Sequence, residues 1–174
     1  MPFSYYDRLS PSRKKIYRLS DGIATLGIPR GQDHGAAVLR IEAALRADDR
    51  ASVQRECQAL LDVLAAGYRV PKLRLRVLAK RPVDGYGELH GLYEPEEGRT
   101  PPRITVWMRT AQRLQVVAFK TFLRTVIHEL CHHLDYELFA LEETFHTDGF
   151  YKRESSLVVA LLAQRHSADG LPRP

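Results

Sequence analysis

The chain has 174 residues, 44% of them hydrophobic and 27% charged, with a net charge of +5. These proportions suit one globular domain long enough to bury a core, and they exclude a low-complexity or charge-driven disordered chain. No apolar run approaches the length of a membrane span, two cysteines make no disulfide framework, and the start Met1-Pro2-Phe3-Ser4-Tyr5 shows no secretory leader, so a cytoplasmic protein with no membrane partner is expected.

Residues 1–34 read as a basic N-terminal appendage. Ser10-Pro11 is a helix start, with Pro at the first helical position, and Arg13, Lys14, Lys15 and Arg18 follow on that helix. The turn-rich run from Gly27 to Gly35 separates it from a main domain over 35–166. Val38, Ile41 and Leu45 form one helical stripe; Val53, Cys57, Leu60, Leu61 and Leu64 form another after the break at Asp48-Asp49-Arg50. Gly67 is expected to end the second helix.

Three strands follow. Leu73, Leu75 and Val77 alternate with Lys72, Arg74 and Arg76, and residues 69–81 carry six basic side chains and no acidic one. A solvated strand face explains that pattern, and so does a phosphate-tracking surface that would make DNA a partner. Glu88 to Tyr93 and Arg103 to Met108 read as the second and third strands, and the short loops suggest an antiparallel meander. The fold class is therefore α+β, with a small antiparallel or mixed three-stranded sheet against a long helix and flanking helices.

That long helix is expected from about Gln112 to Tyr136. At 100° per residue, Val116, Phe119, Leu123, Val126, Ile127, Leu130 and Leu134 share one core-facing arc. His128 and His132, four apart and about 40° from one another around the axis, lie opposite it with Thr121, Thr125 and Asp135. A final helix, capped by Thr147 or Asp148, buries Leu157, Val158, Leu161 and Leu162, and 167–174 reads as a frayed tail.

The pattern His128-Glu129-x-x-His132 on a helix presents two imidazoles to one metal ion, with Glu129 placed to handle the proton of an activated water. A catalytic Zn2+ needs a third protein ligand. His146, 14 residues after His132, is the leading candidate; Glu143 and Asp148 are rivals, and Glu154 is a weaker one. Asp135 reads either as an orienting partner for a ligand imidazole or as an exposed helix-end acid. Tyr93, His133, Tyr136 and Tyr151 are candidates for stabilising an oxyanion. Cys131 reads as a packing residue. Competing classes are a nucleic-acid-associated module with a structural metal site, and an interaction protein in which the motif is accidental.

The stretch from about Leu73 to Leu162 resembles the SprT-like branch of the zincin metallopeptidases. The similarity rests on Gly91-Leu92-Tyr93, Ile104-Thr105-Val106, the helix with His128-Glu129-x-x-His132, and His146 with Phe150 four residues on. It implies a zincin-like fold and a zinc-dependent peptidase acting on a peptide or protein substrate. Its zinc would be held by His128, His132 and His146, with Glu129 as the base. It also implies that the strand at 103–109 pairs with an extended substrate. Some SprT-like proteins cleave proteins crosslinked to DNA. The family usually has Gly after the third histidine, where this chain has Thr147, and many members carry a paired-cysteine ribbon, which this chain lacks.

Overall fold

The computed structural model describes residues 3–84, 87–168 and 170. A short 3-10 turn at Tyr6–Arg8 precedes α1 (Pro11–Gly22), α2 (Gly35–Arg46) and α3 (Arg50–Tyr68). Then come β1 (Arg74–Lys80), β2 (Val83–Asp84), β3 (Gly87–Glu88), β4 (Gly91–Glu94), β5 (Arg103–Arg109), α4 (Phe119–Glu137) and α5 (Asp148–Ala168). Among the described residues the class is α+β: five α-helices around a mixed three-stranded sheet. No helix of the described residues is long and apolar enough to cross a membrane. The tail at 167–174 lies largely outside the described residues.

Local chemistry sets most helix starts. Ser10 Oγ accepts from Arg13 N–H at 3.3 Å with Pro11 in the first turn, and Asp49 caps α3 through Ser52 N–H. Thr147 Oγ1 accepts from Phe150 N–H at 2.9 Å and so caps α5. Gly67 does not end α3. The helix runs one residue further, and Arg69 takes the left-handed conformation (φ 59°) that closes it. Gly67 is small for another reason, since a Cβ there would collide with the Pro29 ring.

The sheet order is β1-β5-β4, with β1 parallel to β5 and β4 antiparallel to it, so the meander is not antiparallel throughout. β1 and β4 therefore lie on opposite sides of β5. Leu75 then pairs with Ile104 and Val77 with Val106, placing all four in the core. The expected strand Glu88–Tyr93 is split because Gly87–Glu88 pairs with β2 while Gly91–Glu94 pairs with β5.

The helix expected from Gln112 begins only at Phe119. Thr110–Val117 turns back on β5 instead: Thr110 N–H donates to Gln115 O, Val117 N–H donates to Met108 O, and Leu114 is left-handed at φ 53°. Val116 therefore packs from this turn rather than from the helix. Phe119 is half-buried at the helix start, and the rest of the arc is buried as its periodicity requires, with Leu123, Val126, Ile127, Leu130 and Leu134 joined by Phe122 in one core with α3, α5 and the sheet. The N-terminal segment packs too, with α1 against α5 and Tyr17 and Ser20 buried.

The two edges of the sheet differ. Along β1, Gln54 of α3 donates to Leu75 O at 2.6 Å and accepts from Val77 N–H at 2.7 Å. Gln58, one turn on, donates to Leu73 O at 3.0 Å and accepts from Leu75 N–H at 2.7 Å. These primary amides stand in for a neighbouring strand and close that edge. The opposite edge is β4. Replacing Gln54 and Gln58 with Ala should cost about 1–3 kcal/mol per site, because backbone groups lose their partners. Urea titration reads the loss, and light scattering reads the strand-edge association that follows.

Candidate metal centre

Helix α4 carries its core stripe on one side and His128 and His132 on the other, and the loop between α4 and α5 returns His146 to meet them. His146 Nε2 lies 3.0 Å from Nε2 of His128 and 3.1 Å from Nε2 of His132. Among the described residues these three form the one group of His, Cys, Asp or Glu side chains that could hold a metal ion. Three nitrogens at about 2.0–2.1 Å from one tetrahedral zinc would sit roughly 3.3 Å apart, close to this spacing. Phe150, fully buried, is the floor: its ring centroid is 4.7–5.3 Å from those of all three imidazoles.

The proton positions on two of the rings follow from their partners. His128 Nδ1 is 2.8 Å from a Glu154 carboxylate oxygen, which accepts, so the ring proton sits on Nδ1. His132 Nδ1 is 2.8 Å from Thr144 Oγ1, and that hydroxyl donates its own proton to Asp135 Oδ2 at 2.8 Å. Thr144 therefore accepts from His132, whose proton is again on Nδ1. In the neutral rings both Nε2 lone pairs converge on one point beside His146, and His146 can donate a proton to only one of them. A cation satisfies all three, so the donor set fits Zn2+. Burial, with His128 and His146 beside it, pushes the His132 pKa down to about 3, and burial also lowers that of His146; both favour the neutral, ligating form.

The rivals for the third ligand have other roles. Glu143 forms an ion pair with Arg13 of α1. Asp148 opens α5 outside the histidine group. Glu154 orients His128; burial opposes its charge, but hydrogen bonds from His128 and Arg124 hold its pKa below the usual carboxylate range. Asp135 is no exposed helix-end acid, being wholly buried against Arg153 and the Thr144 hydroxyl. Cys131 is buried and free, away from the ligand group.

Glu129 faces the sheet. It is buried beneath β4, where the Tyr93 backbone N–H donates to it, and burial raises its pKa from 4.5 to about 7. Gly91 makes this position available, since a Cβ there would overlap the Glu129 carboxylate. The cleft above these groups has a volume of about 760 Å3 and is walled by β4 on one side and by Thr121, Thr125 and Tyr151 on the other. Of the oxyanion candidates, His133 turns inward, donating from Nε2 to Pro71 O at 2.9 Å and accepting the Tyr93 hydroxyl at Nδ1. Tyr136, whose hydroxyl accepts from the Thr144 backbone N–H, and Tyr151 both line the cleft.

No protein-family model, curated protein or solved structure matches this chain.

The arrangement therefore stands on its own geometry. Gly91 entered only through the family resemblance, not as the neighbour of Glu129, and Thr144 and Arg153 went unread in the sequence. Thr144 lies only two residues before His146, and the other two carry no local signal, because their partners are 38 and 18 residues away in sequence at Glu129 and Asp135. Purified protein should bind about one zinc per chain by elemental analysis. His146→Ala should lose it and Glu143→Ala should keep it, as Glu143 pairs with Arg13 rather than with the imidazoles.

Proposed function

We propose that this protein is a zinc-dependent metallopeptidase with a zincin-like, SprT-like domain. One observation carries the reading: three imidazoles with converging lone pairs stand beside a buried carboxyl group whose pKa is near 7. Zinc in that position supplies a Lewis acid and an acidified water. Glu129, with a pKa matched to neutral pH, takes a proton from the attacking water and returns it to the leaving amine. Tyr136 or Tyr151 is the hydroxyl within the cleft that stabilises charge on the carbonyl oxygen.

The sheet supports a polypeptide substrate. Strand 103–109, which the family resemblance assigns to substrate pairing, is the central strand β5, hydrogen-bonded on both sides, and has no free edge. The edge that borders the cleft is β4, while the β1 edge is closed by Gln54 and Gln58. An extended peptide laid along Gly91–Glu94 would gain main-chain hydrogen bonds over Glu129. Leu89, Leu92 and Tyr151, each 37–40% exposed, give its side chains an apolar rim. A reducing, cytoplasmic setting agrees with two buried free thiols.

Glu129→Gln separates chemistry from binding. It should keep zinc within a factor of a few while peptide hydrolysis, followed with a fluorogenic peptide library, falls by at least about a hundredfold. Undiminished hydrolysis by the variant would rule out this role.

A second reading, as a nucleic-acid-associated protein, is favoured by the outer face of β1. Arg74, Arg76 and Lys80 are exposed there; Arg74 and Lys80 have no ion-pair partner among the described residues, and Arg76 has only the charge of Glu94 nearby. Binding to a DNA duplex should weaken steeply between 50 and 200 mM salt, as expected when several phosphates are neutralised, and Arg74→Ala with Arg76→Ala should flatten that slope. Absent or salt-independent binding removes this reading.

A further inference from the structure

Arg153 is the largest fully buried side chain of the described residues. Its Nη1 donates to Ser20 O and Ile23 O, both at 2.6 Å, and its Nη2 donates to Ser20 Oγ at 3.1 Å and Asp135 Oδ1 at 2.7 Å. Four of its five N–H groups are thereby used, and only Nε lacks a partner. The rings of Phe139 and Phe150 lie 5.4 and 5.6 Å from the guanidinium carbon.

A buried ion pair is a poor device for stability alone, since apolar residues of equal volume commonly serve as well. What it adds here is direction. With Oδ1 of Asp135 held by Arg153, Oδ2 takes the Thr144 hydroxyl proton. A hydroxyl that donates to a carboxylate presents its lone pairs elsewhere, and the group opposite is Nδ1 of His132. The relay Arg153–Asp135–Thr144–His132 thus crosses from α5 through the end of α4 to the ligand loop. Without the guanidinium, Asp135 would be an unpaired buried acid and would take a proton. Thr144 could then accept from Asp135 and donate to His132, reversing the ring's tautomer.

We propose that Arg153 is a positioning residue for the metal centre. Through Asp135 and the Thr144 hydroxyl it keeps the His132 proton on Nδ1 and so turns the Nε2 lone pair toward His128 and His146. This rests on the metal-site reading above. It extends that reading to the N-terminal segment, because the same guanidinium holds the carbonyls that end α1. The third ligand is tied to that segment separately, by the Tyr5 hydroxyl donating to His146 O at 2.9 Å. Residues 3–23 are on this account part of the support of the metal site.

The test has two readouts. In the metal-free protein, nitrogen-resolved NMR of the imidazoles should find His132 protonated on Nδ1. Thr144→Val, which keeps shape and removes the hydroxyl, should give a mixed or reversed tautomer, and Thr144→Ser should restore the parent state. Thr144 is only half-buried, so these variants fold even where one at Arg153 does not. In chelator competition, Thr144→Val should bind zinc about 10–100-fold more weakly, in the range expected for loss of a ligand's orienting partner. Arg153→Lys should weaken zinc binding in the parent and add little in the Thr144→Val background. His132 protonated on Nε2 in the parent, or Thr144→Val binding zinc as tightly as the parent, overturns the relay. Full additivity of Arg153→Lys with Thr144→Val overturns the part given to Arg153. A parent that binds no zinc removes the metal reading instead, and the proton position on His132 then still decides the relay.

Discussion

A guanidinium withdrawn entirely from water must find acceptors for its protons, and that requirement organises this molecule. Arg153 obtains them from the end of α1, from Ser20 and from Asp135 on α4, so three helices share one point. Movement of any of them would leave a charge unpaired in the interior, at a cost of several kcal/mol. The loop from Leu138 to Thr147 hangs from this point. Its ends are fixed by α4 and α5, its Thr144 by Asp135, its Phe145 by the Tyr17 ring, and its His146 carbonyl by Tyr5.

Around that point, α4 solves two problems with one sequence. Its apolar arc buries against the sheet and α5, which fixes its rotation about its own axis. Rotation fixed in this way aims His128 and His132 at the cleft without further expense. Glu129, one position on, is turned under β4, where burial, with the Glu154 charge adding to it, brings its pKa toward neutrality. The same ladder that packs β4 on β5 therefore places a buried carboxyl group beside the histidines. Gly91 is the concession the strand makes to let the carboxylate fit.

The sheet has an asymmetry of similar economy. Both edges of a three-stranded sheet invite pairing. Two glutamines at helical spacing on α3 satisfy one edge from within, while the other borders the cleft. Such an arrangement leaves the open edge on the side where the histidines and Glu129 lie.

Much of this was legible in the sequence because it is set by short-range periodicity. The His128–His132 spacing, the arc from Leu123 to Leu134, the caps at Ser10 and Thr147 and the alternation at Leu73, Leu75 and Val77 each depend on residues within a turn or two. Three-dimensional packing decided the rest. The parallel pairing of β1 with β5 depends on which edge an insertion lets the chain reach. The late start of α4 depends on β5 offering hydrogen bonds to Thr110–Val117. That His146 rather than Glu143 meets the other histidines depends on Arg13, 130 residues away from Glu143, and on Tyr5. That Asp135 is buried and hydrogen-bonded to Thr144 depends on Arg153, 18 residues on. The sequence by itself determined which side chains could form the site, since helical spacing is a local property. Only the tertiary structure decided how they are aimed, because each is held by a partner distant along the chain.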